Sequence, residues 1–112
     1  MTKLSITVTD HRACSVITLT GELDRFSVGR LRRVIDRMIG QGRARIVADV
    51  ADLTFCDSAG VWALLEGHHR AAMAGGWLRL AYAHGTLKRI LQVSRSAGIC
   101  LADIDLMVVM DR

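Results

Sequence analysis

Arg45 to Gly60 is the stretch that most restricts how this chain folds. Arg45-Ile46-Val47-Ala48-Asp49-Val50 is a largely apolar run of strand length, the pattern of a buried strand. From Ala59 to Ala74, Val61, Leu64, Leu65, His68 and Ala72 recur at helical spacing, which predicts an amphipathic helix. Asp57-Ser58-Ala59-Gly60 joins the two. The junction puts a hydroxyl and a carboxylate at a helix N-terminus, where unpaired N–H groups and partial positive charge favour an anion or a phosphate. Read by itself, Ser58 is a helix cap, because Ser and Asp are preferred caps.

The same periods organise the rest of the chain. Leu4, Ile6 and Val8 alternate with polar residues as in a strand. Asp10-His11-Arg12 reads as a turn and Ala13 to Thr20 as a second strand, so a hairpin is expected. Gly21-Glu22-Leu23-Asp24 reads as a loop. Ser27 is placed to cap a helix through Val28, Leu31, Val34, Ile35, Met38 and Ile39, stopped by Gly40 or Gly42. After Gly75-Gly76, Trp77 to Tyr82 is a further strand. Thr86 is expected to cap a short helix through Leu87, Ile90, Leu91 and Val93, ended by Gly98, and Leu106 to Val109 is either a last strand or an apolar closing segment. Strands alternating with helices imply an α/β fold: a mixed β-sheet of about four to five strands with helices packed on it. A length of 112 residues suits one domain spanning the whole chain.

Several chemistries lack their equipment. There is no Gly-rich phosphate loop. His68 and His69 are adjacent, so they point to different sides of a helix and make no metal pair. Asp24 and Asp57 fall short of a calcium ligand set, and neither a metal nor a cofactor is expected. A hydrolase built on Ser58, His84 and Asp24 has no Gly-x-Ser-x-Gly elbow. Cys14, Cys56 and Cys100 are odd in number and widely spaced, as reduced, mostly buried thiols are. The longest apolar runs are far shorter than a bilayer span, and Met1 to Ser5 carries no signal-peptide core. A soluble, cytoplasmic protein without a membrane partner is expected. The net charge is +4, and Arg25, Arg30, Arg33 and Arg37 form a basic patch. With only 4% aromatic residues for base stacking, the patch reads as a solvated helix face rather than a direct nucleic-acid site.

Three segments together resemble a known family. Leu19-Thr20-Gly21-Glu22-Leu23-Asp24 resembles its L-x-G-E-L-D signature. Ile46 to Val50, followed by Leu53-Thr54-Phe55-Cys56-Asp57-Ser58-Ala59-Gly60, resembles its hydrophobic strand and D-S-S/T-G signature. Leu87-Lys88-Arg89-Ile90-Leu91 resembles its C-terminal helix. The family is the STAS domain, specifically the bacterial anti-sigma factor antagonists, and the resemblance runs in order along nearly the whole chain.

The resemblance implies a switch and not an enzyme. An unphosphorylated antagonist of this family binds an anti-sigma factor that is also a serine kinase, which frees a sigma factor. The kinase phosphorylates the serine matching Ser58, the antagonist lets go, and a serine phosphatase resets it. By resemblance, Gly21, Glu22, Asp24, Asp57, Ser58, Ala59 and Gly60 make up the partner-binding and phosphorylation region. Asp57 and Asp24 there help to position the kinase. A monomer or weak dimer is expected.

Two residues depart from the family pattern. Ala59 stands where Ser or Thr is common, which leaves Ser58 as the acceptor. Trp62 stands where a small residue is frequent, one step off the buried stripe. It is read either as packing on the edge of the core or as a partner anchor, since Trp is enriched at binding hot spots. These departures also suit an alternative: a phosphorylation-independent STAS scaffold or accessory protein in a regulatory or transport complex.

Overall fold

The alternation at Leu4, Ile6 and Val8 does make a strand, β1 (Leu4–Asp10), and its hairpin partner is β2 (Ser15–Leu23). The two pair antiparallel without a break from Leu4 opposite Gly21 to Asp10 opposite Ser15. His11 N–H donates to the Cys14 carbonyl (2.8 Å) to close the turn. The remaining elements are α1 (Val28–Gly40), β3 (Arg45–Cys56), α2 (Ser58–Met73), β4 (Trp77–Ala81) and β5 (Leu101–Ala102). The computed structural model describes residues 3–85, 87–89 and 101–102. Gly85 and residues 87–89 have helical backbone, and Leu87 is buried. The roles expected of Thr86, Ile90, Leu91, Val93, Gly98, Cys100 and Leu106 to Val109 lie outside the described residues.

All five strands form one sheet in the order β1-β2-β3-β4-β5. The β2–β3, β3–β4 and β4–β5 pairs are parallel. The expected α/β fold, a mixed sheet of four to five strands with helices on it, is the observed one. Leu31, Ile35 and Met38 of α1 and Leu64 of α2 pack on Ile17, Leu19, Ile46, Val50 and Leu78 of the sheet. The opposite face carries Cys14, Val16, Val47 and Ala81, with Trp77 against them. The Arg79 guanidinium stacks 4.0 Å from the Trp77 ring, a cation–π contact that lets a charged residue share an apolar face. Among the described residues, no helix is long and apolar enough to cross a membrane.

Four expectations need correction. First, Gly21, Glu22 and Leu23 are strand, not loop. Gly21 adopts φ +110°, and β2 shifts register against β3 on either side of it, so the ladder absorbs the irregularity and continues to Leu23 opposite Cys56. β3 therefore runs past Val50 to Cys56. Second, Tyr82 is not strand: its φ of +62° turns the chain out after Ala81. Third, Ala71 and not Ala72 faces the sheet. The buried stripe of α2 is Gly60, Val61, Ala63, Leu64, Gly67 and Ala71. Small residues mark the closest approach, and a hydrophobicity pattern does not weigh them. A Cβ on Gly67 would stand 2.9 Å from Ile35 Cδ1. Fourth, Ser27 holds the N-cap position of α1 without bonding the helix through its side chain. Its hydroxyl donates to the Glu22 carbonyl (2.9 Å) and accepts the Asp24 N–H (3.0 Å). The capping hydroxyl is spent on fixing the turn instead.

Candidate functional site

The C-terminal ends of β2 and β3 bring together the two sequence segments singled out above. Leu23 is paired with Cys56, and the Asp57 N–H donates to the Leu23 carbonyl (3.3 Å). The Gly21–Asp24 segment and the Asp57–Gly60 segment are thereby neighbours through strand register alone. Thr54 Oγ1 donates to the Gly21 carbonyl (2.9 Å), a second tie across the same ladder.

The cap of α2 is Asp57, not Ser58. Asp57 has extended backbone (φ −93°, ψ −172°), and its Oδ1 accepts the Gly60 N–H at 3.0 Å. A carboxylate satisfies an orphan N–H and suits the helix dipole better than a hydroxyl does. Ser58 becomes the first helical residue. It is exposed, and its hydroxyl has no hydrogen-bond partner among the described residues. The result is a nucleophilic oxygen at the positive end of a sixteen-residue helix, held by a backbone that does not depend on it.

Gly60 is buried, and a Cβ there would lie 2.7 Å from both Cys56 Sγ and the Leu23 carbonyl oxygen. Only glycine lets the first turn of α2 press onto the β2–β3 ladder. Gly21 is similarly confined, since a Cβ would meet the Lys3 carbonyl oxygen at 2.3 Å. At both positions a side chain would collide with the frame of the junction. Ala59 is half-buried against the core.

Asp24 works locally. Its Oδ1 accepts the Phe26 N–H (2.9 Å) and the Ser27 N–H (3.2 Å), and its carbonyl accepts from Ser27 and Val28. This carboxylate holds the turn into α1 as Asp57 holds the entry into α2. Glu22 is half-buried beside it.

Trp62 lies one helical turn beyond Ser58 on the same side of α2 and is 68% exposed, so most of its ring faces solvent. Sequence reasoning missed two companions. Phe26, in the Asp24 turn, is 72% exposed, and Phe55, at the end of β3, is 51% exposed. The Arg25 guanidinium stacks 4.7 Å from the Phe26 ring. Three exposed aromatics thus stand on the three segments that meet at this junction, in a chain poor in aromatics.

Beside Asp57, a groove of about 440 Å³ runs between residues 53–57 and His84, Gly85 and Leu87. His84 is held by a hydrogen bond from Nε2 to the Val50 carbonyl (3.1 Å) and does not bond Ser58. The hydrolase arrangement is therefore not assembled. Burial, helped by the charge of Asp57, pushes the Cys56 thiol up to about 12, so it is no nucleophile at neutral pH. Among the described residues, no group of three or more His, Cys, Asp or Glu could hold a metal.

The family model described as "Mlab, STAS domain" matches residues 6–106. The chain belongs to the STAS domain family. A relative from Paenibacillus polymyxa, named anti-sigma F factor antagonist, is 27% identical over 92 residues, 81% of this chain and 79% of that one. Among solved structures, the anti-sigma factor antagonist SpoIIAA in its unphosphorylated form is 27% identical with a TM-score of 0.77, covering 96% of each chain. The Bacillus cell fate determinant SpoIIAA in its phosphorylated form is 25% identical with a TM-score of 0.75, covering 96% of this chain and 100% of that one. This STAS domain thus resembles SpoIIAA in either phosphorylation state to nearly the same degree.

Proposed function

We propose that this STAS domain is an anti-sigma factor antagonist, a regulator and not an enzyme. In its unphosphorylated form it binds an anti-sigma factor that is also a serine kinase, in the cytoplasm, and releases a sigma factor. Phosphorylation of Ser58 ends the binding, and a serine phosphatase restores it. The observation that carries this reading is the exposed, unpartnered Ser58 hydroxyl at the start of α2, next to a carboxylate that already does the capping.

The physical case follows from that division of labour. A phosphate adds about −1.5 to −2 charge. The helix N-terminus accommodates it, and the Asp57–Gly60 bond that fixes the backbone is not displaced, so the fold persists. The cost falls on the complex. A partner surface shaped for a hydroxyl would have to desolvate a dianion beside Asp57 and the Asp24 turn. A coupling of about 1–3 kcal/mol weakens binding roughly 5- to 150-fold. In this reading Glu22, Asp24, Asp57, Ser58, Ala59 and Trp62 meet the partner, while Gly21 and Gly60 set the shape. Trp62 is the anchor, and Trp62→Ala is expected to cost about 2 kcal/mol of partner affinity.

The test is a pull-down with wild type, Ser58→Ala and Ser58→Asp, combined with mass spectrometry after incubation with a cognate anti-sigma kinase and ATP. Retention of a kinase by the first two and its loss by the third, with phosphate found on Ser58, is the expected result. Equal retention by all three, with Ser58 unmodified, would instead support the phosphorylation-independent scaffold, a reading that the exposure of Trp62 favours by itself.

A further inference from the structure

We propose that β1 is a self-complementary edge through which two copies of this chain pair weakly, antiparallel, strand to strand. The Lys3 carbonyl accepts the Glu22 N–H (2.8 Å). In the unbroken antiparallel register, Ser5, Thr7 and Thr9 then also turn their N–H and C=O groups toward β2. Leu4, Ile6, Val8 and Asp10 therefore turn theirs outward. One bond confirms this parity independently: the Leu4 carbonyl accepts from the Arg30 guanidinium, outside the sheet.

Edge strands are usually blunted by charge, proline, a bulge or brevity. Among the described residues the far edge is β5, described over Leu101–Ala102. β1 is seven residues long and, among the described residues, is guarded only at its ends. Arg30 covers the Leu4 carbonyl. At the other end the Asp10 carboxylate is held by Arg43 (2.7 Å) and the Ser15 hydroxyl (2.8 Å). From Ser5 to Thr9 the strand has no charge, no proline and no bulge, and Val8 is 38% exposed.

Two-fold pairing centred on Thr7 uses this stretch fully. Ile6 of one copy lies opposite Val8 of the other, and each such pair exchanges two backbone hydrogen bonds. A two-fold axis normal to the sheet keeps both residues on the helix-bearing face, where Ile6 already packs against the core. The exposed Val8 is thus covered by an apolar neighbour. On the other face Thr7 meets Thr7, and Ser5 meets Thr9, favourable cross-strand pairs. A second copy supplies this pattern by symmetry. Because the two-fold axis reverses strand direction between the copies, the two Ser58 junctions fall at opposite ends of the joined sheet, and both stay open to a partner. The contact involves one strand edge, well under the roughly 1,200 Å² of a stable interface, so association is weak and concentration-dependent.

The test is sedimentation equilibrium of the full chain from micromolar to millimolar concentration. Wild type is expected to rise from 12.3 kDa toward twice that mass. Val8→Pro removes an outward N–H and no β1–β2 bond, and Val8→Lys adds a charge to the edge; either is expected to abolish the rise. Circular dichroism shows which variants fold, and the lysine variant decides the matter should the proline variant not. A mixed sample of isotope-labelled and unlabelled chains is expected to show a Thr7 Hα to Thr7 Hα contact between copies. A constant monomer mass at millimolar concentration, or a rise that survives in folded Val8→Lys, would overturn the proposal.

Discussion

At the Ser58 end of the sheet carboxylates grip the backbone itself, and at the opposite end a carboxylate pairs with an arginine side chain. Around Ser58, Gly60 and Gly21 leave no room for a Cβ, and carboxylates of Asp57 and Asp24 grip backbone N–H groups. Three aromatics stand out above this frame. At the Asp10 end, Arg12, Arg43 and Arg45 line a polar cleft of about 400 Å³, close to where α1 and α2 finish. Basic side chains suit helix C-termini there. His11 in the same cleft has both ring nitrogens buried without a partner among the described residues, and Gly75 faces open space. Close approach occurs here too, since a Cβ on Gly76 would collide with the Ala44 carbonyl; what sets the Ser58 end apart is that its carboxylates grip the backbone itself. A site that presents a small hydroxyl needs a fixed backbone, because its own side chain contributes nothing to holding it.

The sharpest way to break this contrast is to add one methyl group at each end. Gly60→Ala forces a Cβ against the Leu23 carbonyl and Cys56, and overpacking of that kind is expected to cost about 3 kcal/mol. Gly75→Ala meets no atom within 4 Å; it keeps only the strain of φ +85°, about 1 kcal/mol. Urea unfolding of both variants measures the difference. Equal losses would mean that Gly60 is no more tightly confined than Gly75.

The contrast also explains what the sequence disclosed. The alternating strand and helix periods were legible because Leu4, Ile6 and Val8, and Leu31, Ile35 and Met38, follow one face each. The continuation of β2 through Gly21 was not. Gly-Glu-x-Asp reads locally as a turn, and its strand character comes from Lys3 on one side and Leu53 on the other. The choice of Asp57 over Ser58 as cap is a one-residue matter, decided by where the Leu23 carbonyl catches the chain. The site residues were legible as two separate segments, but their adjacency is a product of register. Phe26 and Phe55 were overlooked because an aromatic in or near an apolar run gives no sign that it faces solvent.

A middle-sized effect separates the two neighbours at the junction. Asp57→Ala removes the cap and is expected to cost about 1 kcal/mol of stability. Ser58→Ala removes an exposed hydroxyl without a partner and is expected to change stability by less than about 0.5 kcal/mol. Thermal melts of the two variants check this. A larger loss from Ser58→Ala than from Asp57→Ala would return the capping role to the serine.

The smallest effect belongs to the charged end and is best seen through pH. Hydrogen bonds from Arg43 and then from Ser15 hold the Asp10 carboxyl below its usual value of 3.8. A carboxyl whose folded value is depressed stabilises the fold above the unfolded value, and that contribution is lost as the pH falls through the folded one. Asp10 is fully exposed, so solvent and salt screen its ion pair and the gain is slight. Asp10→Asn is therefore expected to be slightly less stable than wild type at neutral pH. The two curves should converge in acid, below pH 3.8, and the neutral-pH gap should shrink as salt is added. Urea midpoints taken across that range at low and high salt measure the gap. A gap that stays constant in acid would show that Asp10 acts through packing at the hairpin turn and not through its charge.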